Sequence, residues 1–179
     1  MFKSHILDYA IQSKEYVPGR MNTPNMAILV MHMVEAKASG VMFSENLWGD
    51  RNEVMVEAVL GQGEGLVSGE ITPDRYVLNK HSLEVVYQQI GKKDHKFVRA
   101  DNEDGVKKVK IEPASSSAVL SVDQIQYLVR LARSIEEFEN RPQDIEWALD
   151  EVTESIYILQ SRPITTNGSE SLAFLPPGK

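Results

Sequence analysis

The chain has 179 residues, 42% of them hydrophobic and 25% charged, with a formal net charge of −7 and no cysteine. That is ordinary globular composition, with enough apolar residues for a sizeable core. It excludes a disulfide framework and a thiol nucleophile, and the acidic balance without a long basic run argues against a nucleic-acid partner. The N-terminus "MFKSHILDYAIQSK" lacks the apolar core of a signal peptide. The longest apolar run, "MAILVM", is too short to span a bilayer. The expectation is a soluble, cytoplasmic protein with no membrane partner.

Residues 3–14 read as a short helix, with Ile6, Tyr9 and Ala10 on one side. "VPGRMNTP" breaks it with Pro18, Gly19 and Pro24. "NMAILVMHMVE" (residues 25–35) is nearly continuous in apolar residues, as in a strand buried on both faces. "ASGVMFSEN" and "NEVMVEAVL" read as two further strands. The glycine-rich "GQGEGLVSGE" (residues 61–70) follows and reads by composition as a flexible turn. It is neither a G-x-G-x-x-G at a strand–helix junction nor a P-loop, which needs Gly-Lys-Ser/Thr. "YVLN", "SLEVVYQQ", "HKFVRA" and "VKKVKIE" then suggest a meander of short strands, with Lys107 and Lys110 as solvated surface.

"SVDQIQYLVRLARSIEEFENRP" is the clearest helix. Ser121 and Gln124 fit a capping box. Ile125, Leu128, Val129, Ala132, Ile135 and Phe138 recur at helical spacing, and Asn140 and Pro142 end the pattern. The class is therefore α+β, strands dominating, with a mixed or antiparallel sheet and flanking helices. A β-hairpin closes the chain. In "DIEWALDEVTESIYILQSRPIT", pairing about Thr153 sets Glu146 opposite Gln160 and Asp144 opposite Arg162. The same register predicts Trp147 against Leu159 and Leu149 against Tyr157 on the apolar face. The polar face gathers oxygen ligands beside a guanidinium. Carboxylate and amide oxygens suit Mg²⁺, and arginine's planar fork suits phosphate. A solvated cross-strand Asp144–Arg162 pair, worth about 0.2–1 kcal/mol, is the plainer alternative. Spacing alone leaves both open.

"PQDIEWALDE…IYILQSRPIT" resembles the end of the nucleotide-binding domain of the phosphoenolpyruvate synthase and pyruvate phosphate dikinase family. "MAILVMHMVEAKASGVMFSEN" is similar to that family's hinge strand and the strand after it. "GDRNEVMVEAVLGQGEGLVSGEITPDRYVL" is similar to its glycine-rich segment. "MFKSHILDYAIQSK" looks like the helix before the hinge. The match covers about residues 1–100 and 120–165, in the family's order. The resemblance implies the second subdomain of an ATP-grasp fold, ending in the hairpin, with residues 1–165 as a partial domain and 166–179 as a flexible polar tail. It implies ATP and Mg²⁺ as cofactors, with Glu146 and Gln160 holding the metal and Arg162 acting on the phosphate chain as the catalytic cation. Asp144 is a weaker carry-over. Adenine would be read at Met31, His32 and Met33, largely through the backbone, and Glu64 would stand near the nucleotide. Three departures stand out. Met31 replaces the usual Gln, and Leu47 replaces the usual Pro beside a retained Asn46. No histidine lies in a glycine-rich motif like that of the family's phosphohistidine domain.

The implied function is the ATP- and Mg²⁺-binding half of a dikinase-type phosphotransferase. The intact enzyme would pass a phosphoryl group from ATP to a histidine on another domain and on to pyruvate. The partners implied are the first ATP-grasp subdomain and the phosphohistidine domain, in the same or another chain. The chain by itself is expected to be inactive. The alternative is a non-catalytic nucleotide-binding or interaction module of the same fold, complemented by a partner that carries the other half.

Overall fold

The computed structural model describes residues 31–47, 49–100 and 105–164. The helix expected at residues 3–14 and the polar tail at 166–179 lie outside them. The chain divides into two units, residues 1–33 and 34–179. Of the first, Met31, His32 and Met33 are described, and all three are exposed coil.

The second unit is built on eight strands: β1 (Ala36–Phe43), β2 (Glu53–Leu60), β3 (Asp74–Asn79), β4 (Val85–Gln89), β5 (Lys93–Arg99), β6 (Val106–Ser115), β7 (Gln143–Asp150) and β8 (Ile156–Pro163). Two helices join them, α1 (Glu64–Val67) and α2 (Val122–Glu139). Six strands form one sheet in the order β4-β3-β2-β1-β7-β8, and β5 and β6 form a separate ribbon. Every strand pairing is antiparallel.

Alternation along each strand divides the sheet into two faces. One face carries Ala38 and Met42 of β1, Val54 and Val56 of β2, Tyr76 and Leu78 of β3, and Ile145, Trp147 and Leu149 of β7. All of these are buried in one cluster with Ile125, Leu128, Val129 and Ala132 of α2. The helix lies where its stripe predicts, and its N-terminus carries the expected capping box. Gln124 N–H donates to Ser121 Oγ at 3.2 Å, and Ser121 N–H donates to the Gln124 side-chain Oε1 at 2.9 Å. Asn140 closes the other end in the left-handed region, φ 55°. A Lys80–Glu136 ion pair at 2.8 Å adds a polar tie from the end of β3 to α2.

Gly40 lets the largest core side chain fit. A Cβ there would stand 1.9 Å from the Glu57 carbonyl oxygen and 2.8 Å from Trp147 Cζ2. On the opposite face Val59 packs with Ile71 and Phe97, so α1 and the β5–β6 ribbon rest on that side.

Several expectations are corrected. Of the strand expected at residues 25–35, residues 25–30 lie outside the described residues and Met31–Glu35 are not strand, because β7 supplies partners only from Ala36 onward and β2 only from Ala38. The glycine-rich stretch holds one helical turn rather than being turn throughout. The four short strands are not one meander: β3 and β4 extend the main sheet, while β5 and β6 form their own ribbon, bridged to Gly61 at Phe97. Phe138 completes the helical stripe on paper but is 82% exposed, since the sheet ends before the helix does. In the hairpin a register shift between Glu146 and Trp147 sets Trp147 opposite Ile158 and Leu149 opposite Ile156. Of β8 only Ile156 packs against the core; Tyr157, Ile158 and Leu159 are all exposed.

Candidate functional site

The face opposite α2 carries the charged chemistry. Strand register lines up Arg75, Glu57, Val41, Glu146 and Gln160 in one row across β3, β2, β1, β7 and β8. One step along, Phe43, Asp144 and Arg162 form the next row. Residues paired across strands point to the same side. Glu146 and Gln160 therefore face each other, as the sequence pattern predicts.

Arg162 donates to Asp144 Oδ2 through Nε at 2.8 Å and Nη2 at 2.7 Å. The Asp144 side chain is 13% exposed and that of Arg162 62%. Asp144 raises the Arg162 pKa by hydrogen bond and charge, and Glu146 adds a smaller pull in the same direction. Glu146 is thus close enough for its field to reach the guanidinium. Neither the Glu146 nor the Gln160 side chain has a hydrogen-bond partner among the described residues. A half-buried carboxylate with no donor beside it retains capacity for a cation.

Glu146 also lines a cavity of about 310 Å³ together with Glu64, Gln62, Ser39, Leu66 and Leu159. The glycine-rich stretch is sewn to β1 at this point. Gly61 N–H donates to the Lys37 carbonyl at 3.0 Å, and Ser39 Oγ donates to the Gly61 carbonyl at 2.6 Å. Gln62 N–H donates to the Phe97 carbonyl at 2.8 Å. Gly61 adopts φ 75°, and a Cβ there would stand 2.1 Å from the Phe97 oxygen, so only glycine fits. The turn that carries Glu64 is held in place by this stitching, contrary to the flexible turn expected.

Glu64 and Glu146 therefore share one cavity, with Gln160 and Arg162 on the next strand. Met31, His32 and Met33 belong to the other unit. Two groups escape the sequence analysis. Arg75 donates to Glu57 Oε1 at 2.8 and 2.6 Å in the same row as Glu146. Ser39 and Gln62 line the cavity. The alternation of "EVMVEAVL" puts Glu57 on the polar face, but its partner comes from β3. Among the described residues no cluster of three or more histidine or carboxylate side chains could hold a metal ion. No helix there is long and apolar enough to cross a membrane.

The family model described as "Pyruvate phosphate dikinase, AMP/ATP-binding domain" matches residues 1–173. The chain is 37% identical over 156 residues to a phosphoenolpyruvate synthase of Pyrococcus furiosus, covering 83% of this chain and 19% of that protein. It is 38% identical over 143 residues to a probable phosphoenolpyruvate synthase of Methanocaldococcus jannaschii, covering 79% of this chain and 12% of that protein. It is 35% identical over 160 residues to the prodigiosin synthesizing transferase PigC of Serratia marcescens, covering 88% and 18%. The chain belongs to the pyruvate phosphate dikinase AMP/ATP-binding domain family, a nucleotide-binding, dikinase-type part. It spans less than a fifth of the length of these relatives.

Proposed function

We propose that this chain is the second subdomain of an ATP-grasp site and that it binds ATP with Mg²⁺ on the sheet face opposite α2. Glu146 and Gln160 would hold the metal. Two oxygen ligands suit Mg²⁺, which keeps several waters and takes further oxygens from phosphate. The metal would supply charge neutralisation at the phosphates. Arg162, steadied by Asp144, would bind the phosphate chain through its remaining donors and balance the charge of the transferring group. Glu64 would flank the nucleotide, and the backbone of Met31, His32 and Met33 would meet the adenine.

The observation that carries this proposal is the pairing of Glu146 with Gln160, both side chains without a hydrogen-bond partner among the described residues, beside the Asp144-held Arg162. A purely structural hairpin face does not need all three. Family membership and the likeness to phosphoenolpyruvate synthases support the same function. In the intact enzyme the phosphoryl group would pass to a histidine of another domain and then to pyruvate. The first subdomain, the phosphohistidine domain and the acceptor site would come from elsewhere. We expect the chain alone to be inactive, since phosphoryl transfer depends on charge neutralisation from every side. ATP as donor makes the cytoplasm the expected compartment.

Titration of the 179-residue chain with MgATP, followed by backbone amide NMR, tests the proposal. The expected result is shifts at residues 31–34 and along the β7–β8 hairpin that weaken in Glu146→Ala. No localised shift at millimolar MgATP would overturn the proposal and leave a non-catalytic interaction module.

A further inference from the structure

We infer that Gln62 reads the base of the bound nucleotide, accepting a hydrogen bond from an exocyclic amine through its side-chain oxygen. The inference rests on the nucleotide site proposed above and adds a specificity-determining residue to it. Gln62 Nε2 donates to the Val34 carbonyl at 2.8 Å. A carbonyl can only accept, so this contact fixes which end of the amide is nitrogen. The side-chain oxygen is thereby turned away from Val34. Gln62 as a residue is half-buried, and this oxygen has no partner among the described residues.

The residue is also rigid at its root. Its own N–H is bonded to Phe97, and the preceding Gly61 is held at both its N–H and its carbonyl. An acceptor fixed this way in a half-buried wall makes a directional contact at little cost in side-chain entropy. Gln62 and Glu146 line the same cavity. Lys37, which bonds Gly61, and Val41, which pairs with Glu146, are four residues apart on β1. At a strand's rise that is roughly 13 Å, the order of an extended purine nucleotide from its base to its phosphates. The walls between are largely apolar, with Val41, Leu66 and Leu159 among them. A flat ring suits such walls. The amide end carries a neutral acceptor, and the far end carries Glu146 and needs a cation. The polarity fixes the orientation of the ligand: base at Gln62, metal-bound phosphates at Glu146.

An acceptor at that position favours a 6-amino purine and disfavours a 6-oxo purine, which would set two acceptors against each other. The test compares MgATP with MgITP on the 179-residue chain. In the wild type MgATP should bind about tenfold or more tightly than MgITP. Gln62→Leu should weaken MgATP by a similar factor, leave MgITP nearly unchanged and bring the ratio close to one. Equal weakening of both nucleotides would overturn the inference, because it is what a residue that merely holds the loop would give. Equal wild-type affinities would overturn it as well. Should Gln62→Leu fail to fold, the wild-type Gln62 side-chain carbonyl carbon supplies the readout. Its resonance should move with MgATP and stay with MgITP, and equal movement with both would count against base reading. Binding of neither nucleotide would sink the nucleotide site itself, an outcome distinct from binding without discrimination.

Discussion

Two aspartates in this chain each hold a cation, and their surroundings differ in every respect that matters for function. Asp74 is fully buried and accepts four hydrogen bonds. Gly91 N–H at 2.8 Å and Lys93 Nζ reach one oxygen, and Val119 N–H at 2.7 Å and Tyr76 O–H at 3.1 Å reach the other. Lys93 also donates to the Gly91 carbonyl at 2.9 Å. Asp144 lies on β7, one strand in from the edge, and holds the exposed guanidinium of Arg162 on the edge strand β8. The first assembly spends its hydrogen-bonding capacity on the protein. The second leaves donors on Arg162, and the neighbouring Glu146 and Gln160, open to something else. A charged cluster points to a ligand when its capacity is unfilled, not when it is large.

The comparison is sharpest if the buried assembly is broken first. Asp74→Ala should cost about 3–5 kcal/mol, since it strands a buried ammonium and two backbone N–H groups. Urea denaturation should show it as unfolded or close to unfolded. Tyr76→Phe, which removes one donor, should cost only about 1 kcal/mol in the same experiment. Burial and the adjacent Asp74 charge raise the Tyr76 pKa well above its ordinary value of 10.0. The sign is fixed by linkage: the raised group contributes fully below pH 10.0 and loses that contribution as pH rises beyond it. Denaturation midpoints should therefore fall above that pH, and less so in Tyr76→Phe.

On the exposed side the order of effects inverts. Glu146→Ala should change stability by no more than about 0.5 kcal/mol while weakening MgATP about tenfold or more. A large stability loss would make Glu146 a structural group and dissolve the contrast. Arg162→Ala should stay within about 1 kcal/mol in stability, with its main effect on nucleotide affinity at low ionic strength.

Local physics was legible in the sequence where it is decided locally. The capping box at Ser121 and Gln124 forms as its spacing predicts, and the Glu146–Gln160 and Asp144–Arg162 pairings follow from keeping apolar residues on one face. The bulge after Glu146 was not legible. Both registers place a plausible set of side chains against Trp147 and Leu149, and in the observed one Ile156 packs against a core assembled from distant strands. The split of β5 and β6 from the main sheet is non-local in the same way. Alternation says that a segment is a strand, not which strand it meets. Glu57 and Arg75, and Gln62 with Val34, are joined only once the sheet exists.

The Asp74 carboxylate has one more consequence. Its oxygens grip Gly91, where the chain leaves the main sheet, and Val119, where it returns toward α2. Entry and exit of the β5–β6 arm are pinned within the width of a single functional group. Closure of that loop is therefore fixed at its base, and lengthening it costs only slowly growing entropy. The arm is not a free cassette: Lys93 ties β5 to Asp74 and Phe97 ties it to Val59 and Gln62, so β5 and β6 can be exchanged with the candidate site intact only where those two residues are kept.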